Sequence, residues 1–239
     1  MPDPEAPQAG APFLSVLVPA LDEERTLATV IDAVLASPVS LEVVLVDDGS
    51  TDGTWEIMRA RDDGHRVRAF RHERNGGKGA AIRTALRHAR GQVVLIQDAD
   101  LEYDPADYPK LLEPIADGRA TVVYGSRAFS SHSAYSFWYV VGNRLVTLAT
   151  NVIYNCYLSD METGYKVMPR DVMLRLDLEA RGFELEPEIT AKLLRSGHRI
   201  YEVPIGYAAR SREEGKKLTA MDGVRALRTL ASYRRWRPR

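Results

Sequence analysis

The stretch LEVVLVDDGSTDGTWEIMRARDD (residues 41–63) contains the signals of a strand, a tight turn and a helix in succession. Branched apolar residues run up to Asp47, where the polarity changes abruptly. Gly49 then permits a tight turn, and the small polar residues at 50–52 can cap the helix that follows. An apolar strand leading directly into a helix is the repeating unit of parallel sheets that are covered by helices on both faces.

The same alternation recurs through the first half of the chain. We predict further strands at 13–19, 67–73, 92–98 and 120–127, and helices near 23–36, at 54–63, at 77–90 and within 137–158. The chain from 13 to 225 carries no internal repeat and no low-complexity linker. The sequence therefore predicts a single α/β domain with a mostly parallel central sheet flanked by helices.

Composition narrows the function classes. Lys and Arg total 32 and Asp and Glu total 33, so no global field favours nucleic acid. The single Cys156 excludes an intramolecular disulfide and a cysteine zinc cluster, and it fits a reducing cytoplasm. Residues 1–12, rich in Pro and Ala, lack the features of a signal peptide, and we expect a disordered leader there.

The most apolar segment is FWYVVGNRLVTLATNVIYNCYL (137–158), which Asn143, Arg144 and Asn151 interrupt. It is therefore not the run of about twenty apolar residues that spans a membrane. We predict a largely buried helix, and the aromatic residues at its start leave an interfacial helix as the alternative.

Polar clusters follow four of the predicted strands. They are PALDEE (19–24), DDGSTDGT (47–54), DADLEYD (98–104) and GSR (125–127). Ligands of open α/β sheets bind beyond the carboxyl ends of the strands, where the loops converge on helix N-termini. The sequence therefore predicts one concave site assembled from these loops.

The densest of these clusters is acidic, with Asp98, Asp100 and Glu102 at alternate positions. In an extended chain alternate side chains lie on one side, and oxygen ligands at this density suit Mg²⁺ or Mn²⁺ rather than zinc. A solvated acidic loop is the alternative. We expect Asp104 to cap the helix that begins at Pro105.

Other polar segments leave two interpretations open. NGGKGAA (75–81) matches neither phosphate-loop pattern, so Lys78 is either a phosphate contact at a helix N-terminus or part of a simple helix start. SDMETGYKVM (159–168) and FELEPEIT (183–190) add further acids, the second before a helix and a strand. Segment 206–223 is basic, as expected of a solvated face or of a loop that binds phosphate.

In this order and spacing, LVPALDEE, VDDGSTDGT, GGKGAA, QDADLEYDP and GSR resemble the inverting glycosyltransferases of family 2. SDMETGYKVM, FELEPEIT and EVPIGYAARSREEGKK are similar to the branch that contains dolichol-phosphate mannose synthase and bacterial polyprenyl-phosphate glycosyltransferases. The resemblance implies a GT-A fold, with a Rossmann-like nucleotide-sugar half (13–127), an acceptor half (128–225) and a basic C-terminal tail (226–239).

The resemblance also implies roles for particular residues. Those expected to bind the nucleotide sugar are Pro19, Ala20, Glu23, Asp47, Asp48, Lys78, Asp98 and Asp100. A DXD motif with its neighbour, Asp98, Asp100 and Glu102, would hold Mg²⁺ or Mn²⁺. The residues expected to act in catalysis are Asp100, Asp160, Glu162, Arg127 and Arg210. Those expected to receive the acceptor phosphate are Arg127, Arg144, Arg210, Arg212, Lys216 and Lys217. Two positions depart from the family pattern: Asp22 stands where Asn is common, and Glu102 where Gln is common.

The expected activity is a metal-dependent, inverting transfer of a hexose from a GDP-mannose- or UDP-glucose-type donor to a polyprenyl or dolichyl phosphate. An acceptor phosphate is already anionic near neutral pH, whereas a hydroxyl acceptor would need a base, for which Asp160 and Glu162 are the candidates. The alternatives are a soluble, peptide or natural-product acceptor, a sugar nucleotidyltransferase, and a non-catalytic nucleotide-sugar-binding protein.

The expected partners are the sugar nucleotide, the acceptor and a membrane surface, with no nucleic acid. After Asp222 the chain contains six arginines and no acid. This end is either a basic solvated helix or an attachment to anionic lipid. We expect a cytoplasmic protein that is peripheral at the inner face of the plasma membrane.

Overall fold

The computed structural model describes residues 13–128, 132–133, 137–209 and 220–238. The expected leader, 1–12, lies outside the described residues. So do four of the expected phosphate-binding residues: Arg210, Arg212, Lys216 and Lys217.

The strands are β1 (Leu14–Ala20), β2 (Leu41–Asp47), β3 (Val67–Arg71), β4 (Val93–Ile96), β5 (Val122–Ser126), β6 (His132–Ser133), β7 (Lys166–Pro169), β8 (Ile200–Pro204) and β9 (Tyr207–Ala208). The helices are α1 (Leu27–Leu35), α2 (Thr54–Arg61), α3 (Lys78–His88), α4 (Tyr108–Ala116), α5 (Phe137–Tyr154), α6 (Arg170–Arg175), α7 (Leu185–Arg195) and α8 (Ala220–Tyr233).

The main sheet has the strand order β3-β2-β1-β4-β7-β5-β8. All neighbours in it are parallel except β7, which runs antiparallel to both β4 and β5. The expectation of a mostly parallel sheet in one α/β domain is therefore confirmed. Because β7 comes from the second half of the chain and lies between two strands of the first half, both halves share this sheet.

Helices cover both faces of the sheet, because alternate residues of each buried strand point to opposite sides. In β2, Val43 and Leu45 pack with α1 and α4, whereas Val44 and Val46 pack with α3 and α7. These two apolar layers form the core, and they leave the polar strand ends together at one edge.

A third apolar cluster lies away from the sheet, between α5, α7 and α8. Its buried members are Val146, Met161, Ala191, Ala226 and Leu230. Residues 226–233, assigned to a basic tail on the sequence, form the second half of α8 and contribute two of these side chains. Among the described residues, no helix is long and apolar enough to cross a bilayer.

Candidate active site

The loops that follow β1 and β2 are joined by hydrogen bonds. The backbone N–H of Asp22 donates to Ser50 Oγ (3.0 Å), and the N–H of Thr51 donates to Asp22 Oδ1 (2.8 Å). Asp22 has a φ of 54°, in the left-handed region that Asp and Asn tolerate better than other non-glycine residues. Aspartate in place of the more common asparagine is therefore compatible with this backbone. Glu23 is fixed in the same way, since its N–H donates to Thr54 Oγ1 (2.8 Å).

Asp47 and Asp48 are both buried at the end of β2 and hold neighbouring loops. Asp47 accepts from the N–H of Ser50 (3.0 Å), and Asp48 accepts from the backbone N–H groups of residues 76 (3.0 Å) and 77 (2.7 Å). The N–H of Asp48 donates to the carbonyl of Ala20 (2.9 Å), the residue after Pro19 at the end of β1. The expected nucleoside-binding residues of β1 and β2 thus lie together.

Lys78 begins α3 and forms ion pairs with two carboxylates. Its Nζ lies 2.7 Å from Asp98 Oδ1 and 2.8 Å from Glu186 Oε1. Burial opposes the charge of Lys78, but the two carboxylates outweigh it and raise the pKa of the amine well above its ordinary value. Glu186 Oε2 is buried without a hydrogen-bond partner among the described residues.

Glu186 was not among the residues expected at the site. The sequence pattern placed the acids of FELEPEIT before a helix, but Glu186 and Glu188 lie in the first turn of α7. The spacing of two residues between Glu186 and Glu188 was the one signal in the sequence. Two residues apart on a helix, the two carboxylates point in different directions and so meet different partners. Glu186 turns to Lys78, while Glu188 accepts from the backbone N–H groups of residues 179 (2.8 Å) and 180 (2.7 Å).

The acidic loop after β4 separates its carboxylates. Asp98 pairs with Lys78, Asp100 Oδ1 accepts from the N–H of Glu102 (3.2 Å), and Glu102 Oε2 accepts from the hydroxyl of Tyr207 (2.8 Å). Within the part of the chain that the structure describes, no three Asp, Glu, His or Cys side chains form a group that could hold a metal ion.

The same loop has a strained backbone. Leu101 has a φ of 60°, which is unfavourable for a bulky side chain, and it is exposed. Asp104 caps the turn that leads into α4, as expected, because its Oδ1 accepts from the N–H of Ala106 (2.9 Å).

A buried group of tyrosines supports this loop from below. Gln97 Oε1 accepts from the hydroxyls of Tyr108 (2.7 Å) and Tyr165 (2.6 Å), and the hydroxyl of Tyr103 accepts from the N–H of Gly164 (2.8 Å). A Cβ at Gly164 would lie 2.8 Å from Asp98 Oδ2, so a larger residue at this position would displace that carboxylate. The sequence pattern did not predict this support, because its members come from distant segments.

Arg127 and Asp160 form a bidentate ion pair beside the loop after β5. Arg127 Nε and Nη2 lie 2.6 and 2.7 Å from the two oxygens of Asp160, and Asn143 of α5 donates to the same carboxylate (3.0 Å). Burial would raise the pKa of Asp160, but the charge and hydrogen bonds of Arg127 outweigh it and hold the pKa below its usual value. Arg144, the next residue of α5, is exposed and not part of this pair.

Glu162 and Lys166 are two buried groups of the site in which burial shifts the pKa toward the neutral form, because nearby charges do not fully offset it. Burial and the neighbouring Glu186 raise the pKa of Glu162 to about 7, and its Oε1 has no hydrogen-bond partner among the described residues. Burial lowers the pKa of Lys166 to about 8, although Glu186 and Glu162 oppose the shift. Lys166 Nζ donates to the carbonyls of Met161 (3.1 Å) and Thr163.

Taken together, these contacts define an ionic cluster at the carboxyl ends of β4 and β5 and the start of β7. Its cations are Lys78, Arg127 and Lys166, and its carboxylates are Asp98, Asp160, Glu162 and Glu186. Such a cluster can bind a polyanion and can exchange internal ion pairs for contacts with it.

Comparison with known proteins gives a consistent result. Residues 15–176 match the family model described as glycosyl transferase family 2. The low-salt glycan biosynthesis hexosyltransferase Agl6 of Haloferax volcanii is 35% identical over 210 residues, which cover 85% of this chain and 49% of Agl6. The dolichol-phosphate mannosyltransferase of Pyrococcus furiosus is 27% identical over 212 residues, which cover 85% of this chain and 58% of that protein. The chain therefore spans about half of the length of these curated relatives.

A solved structure shows the same fold. Glucosyl-3-phosphoglycerate synthase from Mycobacterium tuberculosis, in complex with uridine diphosphate, superimposes with a TM-score of 0.71 at 24% identity and covers 95% of this chain and 82% of that chain. Another structure of that enzyme contains Mn²⁺, UDP-glucose and phosphoglyceric acid. The expected GT-A fold is confirmed.

Proposed function

Because this chain belongs to glycosyl transferase family 2, we propose that it transfers a hexose with inversion from a nucleoside-diphosphate sugar to a polyprenyl or dolichyl phosphate. The donor would be of the GDP-mannose or UDP-glucose type. Residues 13–127 would bind most of the donor and 128–225 most of the acceptor. The reaction would take place at the cytoplasmic face of a membrane, where the lipid phosphate is available.

The observation that carries this proposal is the ionic cluster around Lys78 and Arg127. A nucleoside diphosphate gains negative charge as the glycosidic C–O bond breaks, and partly buried cations such as Lys78 and Arg127 stabilise that charge more strongly than fully exposed ones. Lys78 lies at the N-terminus of α3, where the helix dipole also favours anions. Arg127 is held in one orientation by Asp160, so it needs little reordering to meet a phosphate.

The acidic loop fits a hard divalent cation. Its donors are carboxylate oxygens, and Mg²⁺ usually takes only one or two protein carboxylates when substrate phosphates complete its shell. A group of three protein ligands is therefore not required. Asp100 and Asp98 would hold the ion, with Glu102 assisting if it leaves the hydroxyl of Tyr207. When bound, the ion would supply positive charge to the diphosphate leaving group.

The residues of the chain would divide the remaining work. Asp48 would accept from the nucleoside. Its carboxylate already contacts the N–H groups of residues 76 and 77 and Nδ1 of His72 (2.7 Å), so these groups would have to share it with the nucleoside. An oxygen of the acceptor phosphate would attack the anomeric carbon as the bond to the diphosphate breaks. That oxygen carries a negative charge near neutral pH, because the second pKa of a phosphate monoester is about 6, so no proton needs to be removed.

A hydroxyl acceptor is the second candidate, and Glu162 favours it. Its raised pKa, about 7, and its buried Oε1, which has no hydrogen-bond partner in the described part of the chain, suit a general base. Asp160 suits that role less well, because Arg127 occupies both of its oxygens. Both acceptor classes would use the same donor site.

The test is a transfer assay with labelled UDP- and GDP-sugars and Mg²⁺ or Mn²⁺, offering either polyprenyl phosphate or water-soluble acceptors. We expect transfer to the lipid phosphate. Transfer to soluble acceptors alone would refute this acceptor. Asp100→Asn should abolish turnover with unchanged circular dichroism, and Asp104→Asn, which alters only the cap of the next turn, is its control. Near-normal rates of the Asp100 variant would refute the site.

A further inference from the structure

Helices α5 and α8 lie side by side on the third apolar cluster. The hydroxyl of Tyr154 in α5 donates to the carbonyl of Leu230 in α8 (2.6 Å), and both helices contribute side chains to that cluster. Ile153 of α5 and Ala231 of α8 line one groove between the helices. The faces of α5 and α8 that point away from the cluster are therefore adjacent parts of one surface, which we call the α5–α8 face.

The outer side of α5 is apolar. Leu145, Leu148 and Val152 are 59%, 58% and 74% exposed. Their spacing of three and four residues places them on one side of the helix, opposite the buried Val146 and Thr150.

The outer side of α8 combines apolar and basic residues. Met221 and Val224 are 58% and 51% exposed, and Arg225 and Arg228 continue the same side at helical spacing. Most of the large apolar side chains that the described residues expose lie on these two helices. Exposed apolar residues are normally scattered singly, so this concentration indicates a surface that is covered by a partner.

The charge of the face identifies the partner. Residues 137–154 contain no Asp or Glu. Within residues 220–238 the one acid is Asp222, which pairs with Arg225 (3.1 Å), and the basic residues are Arg225, Arg228, Arg234, Arg235 and Arg237. These arginines are all exposed. A second copy of the chain would bring like charges together at this face, whereas anionic lipid headgroups would neutralise them while the lipid interior accepted the apolar side chains.

We propose that the α5–α8 face docks on the surface of an anionic phospholipid bilayer. The inference extends the proposed function, in which the acceptor is a lipid phosphate. It also orients the site: Arg144 is exposed on α5, and the preceding residue, Asn143, contacts Asp160 of the ionic cluster. Because Asn143 lies on the same side of α5 as the buried Val146, a docked α5 would hold the ionic cluster one helix away from the headgroups.

The test is sedimentation with vesicles, without donor or metal, so it does not depend on turnover. Wild type should bind vesicles that contain phosphatidylglycerol and not vesicles of phosphatidylcholine alone. The double variant Leu148→Ser/Val152→Ser should bind at least tenfold more weakly, because it removes two exposed apolar side chains from the interface. Leu174→Ser, which removes an equally large side chain 41% exposed on α6, is the control and should bind like wild type.

The basic part of the face has its own variants. Arg225→Gln/Arg228→Gln should weaken binding about tenfold, and raised salt should have the same effect, whereas Arg59→Gln on α2 should have none. Equal binding by all variants would overturn the proposal. So would a wild-type dimer in sedimentation equilibrium that the Leu148 variant converts to a monomer. Normal vesicle binding without any transferase activity would instead refute the proposed function alone.

Discussion

Glu162→Gln should make the protein more stable at neutral pH and should distinguish the two acceptor classes. The pKa of Glu162 is about 7 in the folded protein, against an ordinary value of 4.5. The folded state therefore binds the proton more tightly than the unfolded state, and ionised Glu162 destabilises the fold above pH 7. The penalty is absent below pH 4.5 and develops between 4.5 and 7. Glutamine, which is neutral and nearly isosteric, avoids it.

The size of the effect follows from the shift. At about 1.4 kcal/mol per pKa unit, the difference between 4.5 and about 7 corresponds to roughly 3 kcal/mol. The variant does not gain all of this free energy, because the charge of Glu162 also helps to keep Lys166 protonated and that help is lost. We expect a net gain of about 1 to 2 kcal/mol in the free energy of unfolding at pH 7.5 and a gain near zero at pH 4.5.

Urea unfolding followed by circular dichroism at these two pH values, with EDTA present, measures this difference. Glu56→Gln is the control, since Glu56 is exposed on α2 and the substitution should not produce a pH-dependent gain. If the Glu162 variant is less stable than wild type at pH 7.5, then the charge of Glu162 is stabilised by Lys166 rather than penalised by burial, and the reasoning fails.

Transfer rates of the same variant report the acceptor. A phosphate acceptor needs no base, so kcat with polyprenyl phosphate should change by less than about threefold. A hydroxyl acceptor should lose roughly 10²- to 10⁴-fold, the usual contribution of a general base. A large loss with polyprenyl phosphate, in a variant that is folded and stable, would contradict the mechanism proposed for that acceptor.

Two further substitutions test the supports of the site. Lys192→Met breaks a fully buried ion pair with Glu188 (2.7 Å) and should lower the free energy of unfolding by about 3 to 5 kcal/mol, measured by urea unfolding. Adding Glu188→Gln should recover part of this loss. A larger loss in the double variant would contradict the pairing. Gly164→Ala should weaken nucleoside-diphosphate binding with Mn²⁺ in calorimetry, because the new Cβ displaces Asp98. Gly142→Ala, whose added Cβ would lie within 4 Å of no described atom, should bind normally. Equal affinities would show that Asp98 is not needed there.

Much of the fold could be predicted from local pattern, because the branched apolar runs and the polar residues that follow them mark strand ends directly. Helix starts were less predictable. The helix expected near 23 begins at Leu27, because Asp22 and Glu23 are bonded to the loop after β2 and cannot adopt a helical turn. Strand β7 (Lys166–Pro169) was also missed as a strand, since four residues give too little pattern.

The positions of the candidate site residues could be predicted where they follow strands and not where they depend on distant contacts, and their roles stay predictions. Lys78 begins the helix after β3 and Asp98 belongs to the loop after β4, and their side chains lie together as an ion pair. Glu186 does not, because its bond to Lys78 joins residues 108 positions apart in the chain, and no local pattern encodes such a pairing. Likewise, the pKa of Glu162 depends on burial and on Glu186, which only the folded arrangement defines.

The arrangement of the sheet argues against an independent donor half. Residues 13–127 contain Lys78 and Asp98, but the carboxylate of Glu186, which shares Lys78, comes from α7, and β7 separates β4 from β5. The first turn of α3 rests on the same region, because the N–H of Gly79 donates to the carbonyl of Arg181 (2.7 Å). The second half of the chain would therefore contribute to the proposed donor site as well as to the proposed acceptor site. Since α8 packs on α7, the helix proposed to meet the bilayer is one helix away from the residue that pairs with Lys78.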